Sequence, residues 1–296
     1  MRNKKDELYY NALILPGMIF VILFAIIPMF GIVIAFKNFV PVKGIFGSDW
    51  VGLKHFRNMF IKAEVRNAIF NTVYLAVIKI VLNLIVPIFF AVLLNEIRNL
   101  TYKRVLQTLV YLPHFLSWVI LGIMFSNIFS YNGMFNKLVG LFGVEPKMHM
   151  IENSSFRSVL IFTDVWKNFG YGAIIYIAAI TNIDPNLYEA AEIDGANRWH
   201  KIIHITLPSI KGTIILMATL SLGNVLNAGF EQVFAMYSPL VYETGDIIDT
   251  YVYRMGLTKM QYSFSTAVGL FKSVVSFVLI TLSYTLANKF AGYTIF

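Results

Sequence analysis

The side chains best suited to chemistry are few and widely spaced in a very apolar sequence. His200 and His204 lie four residues apart, a spacing that could place two metal ligands on one face of a helix. Lys201, however, occupies the position of the glutamate in HExxH, and no third ligand is evident. The sequence also contains no Walker A loop, GxSxG elbow or dinucleotide fingerprint. We therefore predict no metal site, no enzymatic activity and no ATP hydrolysis by this chain.

Four charged side chains interrupt otherwise apolar stretches: Lys79, Asp164, Lys167 and Lys272. A charge inside a bilayer costs about 2.5 to 3.5 kcal/mol on insertion scales, so each of them needs a partner or water. Asp164 and Lys167 are three residues apart and could pair along one helix. Internal ion pairing and snorkelling are favoured for Lys79 and Lys272, whereas for Asp164 a place in a polar translocation path is an equal alternative.

The composition indicates the elements that carry these groups. The chain has 296 residues, 57% of them hydrophobic and only 14% charged, and its mean hydropathy is +0.67, which predicts an integral membrane protein. A helix needs roughly 20 apolar residues to cross a bilayer and satisfies its own backbone there. Six stretches meet this requirement and predict an all-α bundle: residues 11–36, 68–94, 105–130, 158–181, 213–230 and 264–288.

Charge and cysteine content narrow the function further. The formal net charge of +8 is explained by anionic lipid headgroups and topology, and no nucleic acid partner is predicted. The absence of cysteine excludes disulfides and thiol chemistry.

The distribution of Lys and Arg gives only a weak indication of the orientation in the membrane. With the N-terminus inside, the loops on each side carry ten Lys or Arg, and only the compact clusters near the N-terminus and before residue 105 favour this orientation. The ten outside are Lys37, Lys43, Lys54, Arg57, Lys62, Arg66, Lys137, Lys147, Arg254 and Lys259.

The stretch EAAEIDGANRWHKIIHITLP, residues 189–208, is unusually polar for this chain. Asp184 and Pro185 are typical of a helix start, and Gly195 is placed where a left-handed residue would end that helix. Ala190 and Ala191 leave room for another backbone, and an apolar helical stripe resumes at Trp199 before Pro208. The pattern predicts a helix, a turn and a second helix at the membrane surface, where another protein docks.

The spacing within this stretch resembles the EAA loop of permease subunits in binding-protein-dependent ABC importers. The matching positions, and Asp194 between them, are Glu189, Ala190, Ala191, Asp194, Gly195, Ile205, Leu207 and Pro208. The resemblance implies a type I ABC importer permease fold with a five-helix core, residues 67–288, preceded by an additional region, 1–66, and followed by a short tail, 289–296. It also implies that loop 184–208 is a cytoplasmic coupling helix seated on a separate ATP-hydrolysing subunit, and that both termini are cytoplasmic.

Two further segments are similar to the sugar-transporting branch of that family: WVGLKHF, residues 50–56, and DVWKNFGYGAIIYIAAITNIDPNLYEAAEIDGA, residues 164–196. This similarity implies a cell-membrane importer of oligosaccharides or polysaccharide fragments. The implied partners are a second, usually different permease, two ATP-binding subunits and an extracellular solute-binding protein. ATP would then bind to partner subunits, and this chain would need no cofactor.

A sugar path needs hydrogen-bonding groups for hydroxyls and aromatic faces for the C–H side of the ring. The candidates within the predicted spans are Tyr111, His114, Ser117, Trp118, Asp164, Trp166, Asn168, Tyr171, Asn224, Asn227, Glu231 and Gln232. Asn224, Asn227 and Glu231 have spacings that predict one helix face. Packing, interface anchoring and hydrogen bonds between helices are the competing explanations for these residues.

Three alternative functions have less support in the sequence. An ion-coupled secondary transporter would need midplane acidic residues and inverted halves, but Asp164 is nearly alone and no internal symmetry is visible. A membrane-embedded enzyme would need a cluster of acid, base or metal-binding groups, and none is found. An ABC importer permease for a solute other than sugar would share the coupling loop.

Overall fold

The structure is a computed structural model that describes the backbone of residues 4–291 and the side chains of residues 9–283 and 285. Of the predicted tail 289–296, residues 292–296 lie outside the described part of the chain. The α-helices in the described part, in chain order, are α1 Lys4–Val21, α2 Ile27–Met29, α3 Gly44–Gly47, α4 Lys54–Ile61, α5 Ala63–Asn95, α6 Leu100–Tyr111, α7 Trp118–Ile128, α8 Met134–Gly140, α9 Asn153–Thr181, α10 Pro185–Ile193, α11 Arg198–Lys201, α12 Leu207–Ser209, α13 Lys211–Leu222, α14 Phe230–Met236, α15 Tyr242–Gly245, α16 Ile248–Tyr253 and α17 Tyr262–Ala291. Two short strands, β1 Lys37–Asn38 and β2 Asp49–Trp50, pair antiparallel with Lys37 opposite Trp50.

Short 3₁₀ and π segments join several of these helices. The 3₁₀ turns are Phe30–Phe36, Pro41–Lys43, Leu112–Phe115 and Pro239–Val241, and the π turns are Ile22–Ile26, Ile202–Thr206 and Arg254–Thr258. The first two π turns each end two residues before a proline, Pro28 and Pro208. Because proline lacks an N–H and its ring clashes with the carbonyl four residues earlier, widening the helix by one residue relieves both problems.

Three described helical segments are long and apolar enough to cross a membrane: Tyr9–Phe36, Ala63–Asn95 and Tyr262–Ser283. Two bent pairs raise the number to five if each pair is one span, Leu100–Phe115 with Trp118–Ile128 and Arg198–Ser209 with Lys211–Leu222. Helix α9 has sufficient length at 29 residues, but its polar side chains make it less apolar. The predicted count of six spans is therefore not confirmed, although the helical membrane architecture is, with one short pair of strands added.

The predicted continuous helix 105–130 is wrong. Helix α6 ends at Tyr111, a 3₁₀ turn containing Pro113 follows, and α7 leaves at 104° to the first segment. Leu116 and Ser117 are extended, and the Ser117 hydroxyl accepts a hydrogen bond from the Ile120 N–H at 3.3 Å as the cap of α7. Proline removes a helical donor and serine supplies a cap, so the chain turns within the stretch that composition predicted as one helix.

The predicted helix 213–230 is also wrong at its C-terminal end. Helix α13 stops at Leu222, turns occupy Gly223 to Leu226, and Gly229 adopts a left-handed φ of +89° before α14 begins. Asn224 therefore lies in the turn, Asn227 in the irregular segment after it and Glu231 on the next helix, so the three do not share a helix face. A charge-free stretch does not reveal this break because the turn-forming residues Gly223 and Asn224 are also tolerated in helices.

The described residues divide into two compact units. Within the described residues the first comprises 4–63 and 251–272, and the second comprises 64–250 and 273–291. In the first unit the β1–β2 hairpin is fastened by stacking of Phe36 on Trp50, with 5.8 Å between ring centroids. In the same unit the Phe39 N–H donates to the Ser263 hydroxyl at 2.9 Å.

The second unit has a buried core between α5, α7, α9 and α14. Its fully buried side chains include Leu75, Leu121, Phe156, Leu160 and Val233. Glycine allows the helices to approach closely, as expected for helices packed in a membrane. A Cβ on Gly170 of α9 would overlap the backbone oxygen of Val110 in α6.

Candidate functional site

Residues 184–209 form an exposed pair of helices, which we call the coupling hairpin. The Asp184 carboxylate accepts a hydrogen bond from the Asn186 N–H at 2.9 Å and caps α10, with Pro185 at its first position. Gly195 ends that helix with φ +77°, while the Ala196 N–H bonds back to Ala191 O at 2.8 Å. Asn197 then caps α11 through the His200 N–H at 2.9 Å. The local sequence thus fixes the start, the turn and the restart of the hairpin.

Two side-chain contacts hold the two halves of the coupling hairpin together. Lys201 Nζ donates to Glu192 Oε1 at 2.5 Å, and the Tyr188 and Thr206 hydroxyls are 2.9 Å apart. Hydrogen bonding and attraction from Lys201 hold the pKa of the exposed Glu192 carboxyl below its usual range. The hairpin is therefore a preformed element rather than a loose connection.

The coupling hairpin exposes two large apolar side chains among its charged and polar ones. Ile193 at its tip is 88% exposed and Trp199 is 66% exposed, so both side chains are accessible to a partner. Of the predicted coupling residues, Glu189, Ala190, Asp194, Gly195 and Pro208 are exposed, while Ala191, Ile205 and Leu207 are half-buried. A cavity of about 450 Å³ opens beside them, lined by Ala191, Asp194, Gly195, Ala196, His200, Lys201, His204 and Ile205.

The two histidines of the coupling hairpin face this cavity. Their rings stack with 5.9 Å between centroids, and His204 Nδ1 is 3.1 Å from the His200 carbonyl oxygen of its own helix. Across the described residues, no three His, Cys, Asp or Glu side chains come together in a way that could hold a metal ion. The pair therefore contributes to the hairpin surface.

A second site lies inside the second unit, around Lys79 of α5. Lys79 is 5% exposed, and its Nζ donates to the Ala228 carbonyl at 2.7 Å and to Gln232 Oε1 at 2.5 Å. Asp164 Oδ1 of α9 lies 3.7 Å from the same Nζ, and its other oxygen accepts a hydrogen bond from Asn83 Nδ2 at 2.8 Å. This cluster joins α5, α9 and the turn that precedes α14, so we call it the Lys79 cluster.

The Lys79 cluster borders a cavity of about 300 Å³ that contains several polar side chains in its lining, which we call the central cavity. Its lining residues are Ala76, Lys79, Ile80, Asn83, Asp164, Ser221, Asn224, Asn227, Ala228 and Gly229. Asn83 Oδ1 is buried and has no hydrogen-bond partner among the described residues. An unsatisfied acceptor beside a carboxylate and two further amides suits a ligand that carries hydroxyl groups.

The predicted pairing of Asp164 with Lys167 along α9 is replaced by the longer-range contact with Lys79. Lys167 Nζ instead donates to the Leu116 carbonyl at the bend between α6 and α7, and lies 4.8 Å from the centroid of Trp118. The carbonyl is available because Leu116 is extended rather than helical. The bend at Pro113 therefore also determines the partner of Lys167.

The other predicted path residues fall into separate groups. His114 Nδ1 is 3.1 Å from Asn168 Oδ1, and the His114 ring stacks on Tyr171 with 4.0 Å between centroids. Trp166 packs edge-to-face on Phe125 in the core. Tyr111 is half-buried at the end of α6 and Glu231 is exposed in the first turn of α14. Of the predicted set, Asp164, Asn224 and Asn227 thus meet at the central cavity.

The comparisons with known proteins agree with this architecture. Residues 83–291 match the family model for the binding-protein-dependent transport system inner membrane component. The chain is 43% identical to the polygalacturonan/rhamnogalacturonan transport system permease protein YteP of Bacillus subtilis (strain 168), over 96% of this chain and 89% of that protein. The chain belongs to this family of ABC transporter permeases.

A solved structure is similar to this permease over nearly its whole length. With a TM-score of 0.87 and 36% sequence identity, the permease matches 97% of a chain in the crystal structure of a bacterial ABC transporter that imports the acidic polysaccharide alginate. The match covers 97% of the permease as well. A second structure of an alginate transporter, in complex with an alginate pentasaccharide-bound periplasmic protein, matches with a TM-score of 0.86 and 36% identity. The permease therefore has the type I fold, and it belongs to a family of transport subunits that are not enzymes.

Several residues of these sites were not among the residues predicted for them. Lys79 was assigned to ion pairing or snorkelling, and its contact with Asp164 agrees with the ion-pairing alternative, but its position at the central cavity was not predicted. Asn83 and Ile193 were not singled out at all. Two features of the sequence could have indicated them. Asn83 is an amide one helical turn after Lys79, and Ile193 is an isoleucine beside the polar turn before Gly195.

Proposed function

We propose that this permease forms half of the translocation path of an ABC importer for acidic oligosaccharides. Relatives named for polygalacturonan and alginate transport support a uronate-containing substrate, because the repeating units of both polymers carry carboxylates. In this proposal an extracellular binding protein delivers the sugar, a second, different permease completes the path, and two separate ATP-binding subunits supply the energy. Both termini of the permease are cytoplasmic.

The observation that carries the coupling proposal is the preformed, exposed coupling hairpin. Its capped helices and side-chain ties make it rigid enough to transmit a displacement, and Ile193 and Trp199 offer apolar anchors for a partner. The ATP-binding subunit would seat these groups, with Glu189, Ala190, Ala191, Asp194, Gly195, Ile205, Leu207 and Pro208 at or beside the interface. Movement of that subunit during the ATP cycle would then shift the attached helices.

We propose the central cavity as part of the sugar path. Asp164, Asn83, Asn224 and Asn227 provide acceptors and donors for hydroxyl groups at its wall. His114 stacks on Tyr171 and contacts Asn168, so this group would offer a flat ring and polar atoms elsewhere along the path. Trp118, four residues after His114, remains a further aromatic candidate. Tyr111 and Glu231 remain candidates on their positions alone, while Trp166 supports the core.

The test of coupling uses two substitutions on the coupling hairpin. Gly195→Pro is incompatible with φ +77°, and Glu189→Lys reverses an exposed charge without disturbing packing. We expect both variants to insert in the membrane, lose ATP-dependent oligosaccharide uptake and bind the ATP-binding subunit more weakly in pull-down from detergent.

Gly143→Pro provides a matched control, because Gly143 has φ +78° and, like Gly195, open space where a Cβ would lie. It belongs to a loop that the proposed topology places outside, and this variant should retain subunit association. Normal uptake in both hairpin variants would contradict the coupling proposal. Uptake driven by an ion gradient without ATP would favour the secondary-transporter alternative instead.

A further inference from the structure

A cleft in the first unit has no role in the coupling or path proposals. It has a volume of about 290 Å³ and is lined by Asn38, Phe39, His55, Asn58, Lys62, Met260, Gln261, Tyr262, Ser263 and Phe264. These residues come from β1 and α4, from the residues directly after each of them, Phe39 and Lys62, and from the start of α17 with the segment just before it. In the proposed topology this cleft faces the outside, where the substrate arrives.

The lining of this outer cleft combines one cation, several amides and aromatic rings. Lys62 Nζ lies 4.0 Å from the centroid of the buried Phe264 ring, which places the ammonium at the cleft wall. Asn58 and Gln261 are exposed beside it, and Tyr262 contacts Phe39 edge-to-face with 6.0 Å between centroids. A cation for a carboxylate, amides for hydroxyls and a ring for a C–H face are the groups that a uronic acid residue requires.

The charge balance around the outer cleft is strongly positive. The loop segments of this unit, residues 37–63 and 251–261, contain Lys37, Lys43, Lys54, Arg57, Lys62, Arg254 and Lys259, but Asp49 is their single acidic residue. None of the residues that line the cleft is acidic, and within residues 9–283 Lys62 forms no ion pair. Lys and Arg usually accumulate on the cytoplasmic side of membrane proteins, so a local cluster of cations that the proposed topology places outside needs another explanation.

The cleft rim also contains an unfavourable backbone conformation. Met260 has φ +54°, the single positive φ at a non-glycine residue in the described chain. The surrounding backbone holds it, because the Gln261 N–H bonds to Met255 O at 2.9 Å and the Lys259 N–H to Arg254 O at 3.0 Å. This turn leaves Met260 and Gln261 exposed at the opening of the cleft.

We propose that the outer cleft binds a carboxylate-bearing sugar residue of the acidic oligosaccharide before it enters the membrane path, with Lys62 as the carboxylate ligand. This inference rests on the proposed function. The surrounding cations attract the anionic chain, and Lys62 at the wall distinguishes a uronate from a neutral sugar. The volume suits one sugar ring, at the lower end of the range for small-molecule sites.

The test uses the complete transporter in liposomes with its binding protein, and compares uptake of trigalacturonate with that of its fully methyl-esterified form. The two substrates have the same sugar units and differ in charge. We expect Lys62→Met to raise the apparent KM for trigalacturonate about tenfold, since it removes a charge-assisted hydrogen bond, with little change in maximal rate. Uptake of the methyl ester should be unchanged, and Lys62→Arg should restore wild-type behaviour.

Lys54→Met is the matched control because it removes an exposed cation of the same unit that does not line the cleft. The inference is wrong if Lys54→Met has the same effect as Lys62→Met, which would indicate general attraction. It is also wrong if both substrates are affected equally, which would indicate docking of the binding protein or loss of structure. An effect restricted to liposomes with anionic lipids would refute it as well, by assigning the cleft to a lipid headgroup.

A binding measurement separates this inference from the proposed function. Saturation-transfer NMR should detect Lys62-dependent binding of trigalacturonate to the transporter without its binding protein. Binding that Lys62→Met removes, combined with no ATP-dependent uptake by the wild type, would support the cleft and refute the importer. ATP-dependent uptake with unchanged kinetics in Lys62→Met would refute the cleft alone.

Discussion

Replacing Lys79 by methionine should strongly destabilise the second unit. Lys79 is 5% exposed. Its ammonium forms an ion pair with Asp164 and donates hydrogen bonds to the Ala228 carbonyl and the Gln232 side chain. Methionine preserves most of the aliphatic volume but leaves three acceptors without their cation. The Asp164 carboxylate then keeps the hydrogen bond from Asn83 as its remaining contact within this cluster.

The magnitude follows from the burial of the two charges. Removing one partner from a buried ion pair costs about 3 to 5 kcal/mol of unfolding free energy, because the other charge is left uncompensated. Asp164 is 13% exposed at the central cavity, which places the expected loss for Lys79→Met near the lower limit, about 3 kcal/mol. Asp164→Leu should cost less, about 1 to 3 kcal/mol, since Lys79 keeps its two oxygen partners.

The double variant Lys79→Met/Asp164→Leu distinguishes an ion pair from two independent contacts. Removing both charges should lower the free energy of unfolding by about 1 to 3 kcal/mol, because the oxygens of Ala228 and Gln232 lose the hydrogen bonds from Lys79. The double variant should therefore be no less stable than Lys79→Met alone. Unfolding in mixed micelles, followed by SDS titration, measures each free energy.

Lys137→Met is the control, because Lys137 is exposed on α8 and its loss should change stability by no more than about 0.5 kcal/mol. Strict additivity of the two single substitutions would refute the coupling between Lys79 and Asp164. A stable double variant should still transport poorly, because the carbonyl of Ala228 in the turn before α14 has lost its donor.

Three further predictions concern packing and the coupling hairpin. Gly170→Ala should cost about 1 to 3 kcal/mol in thermal unfolding because its Cβ would overlap a backbone oxygen of α6, whereas Gly140→Ala, with no atom within 4 Å, should not destabilise. The lowered pKa of Glu192 means that its contact with Lys201 is fully present above the pKa of an unfolded-chain glutamate and is lost as pH falls through the folded value. Carboxyl NMR titration should show Lys201→Met moving that pKa upward, and an unmoved pKa would contradict the assigned cause. Tyr188→Phe should cost about 0.5 to 1.5 kcal/mol of unfolding free energy through loss of its hydroxyl contact, 2.9 Å long, and an unchanged stability would show that the tie is dispensable.

The coupling hairpin could be predicted in detail because its determinants are local. Asp184, Pro185 and Gly195 each act on backbone within a few residues, as a cap, a first helical residue and a left-handed turn. The structure has all three features at those positions. The side-chain contacts between the two helices of the hairpin were not predicted, because Lys201 and Glu192 meet only when the turn brings these helices together.

The central cavity could be predicted only in part, because its residues come from distant parts of the chain. Asp164, Asn224 and Asn227 were candidates by residue type, yet the reason given for the asparagines, one shared helix face, was wrong. The left-handed Gly229 and the end of α13 place them at the cavity instead. Lys79 finds its carbonyl partner 149 residues away, a separation for which sequence spacing offers no signal.

The sequence by itself determined that the chain is helical and membrane-embedded, and where its surface hairpin begins and turns. Those properties depend on hydropathy and on side chains that act on neighbouring backbone. Tertiary structure alone decided where the apolar stretches bend, which cation neutralises Asp164 and which polar side chains meet at a cavity. A buried charge takes whichever partner the packed helices bring within reach, and that choice depends on the arrangement of the helices rather than on neighbouring residues.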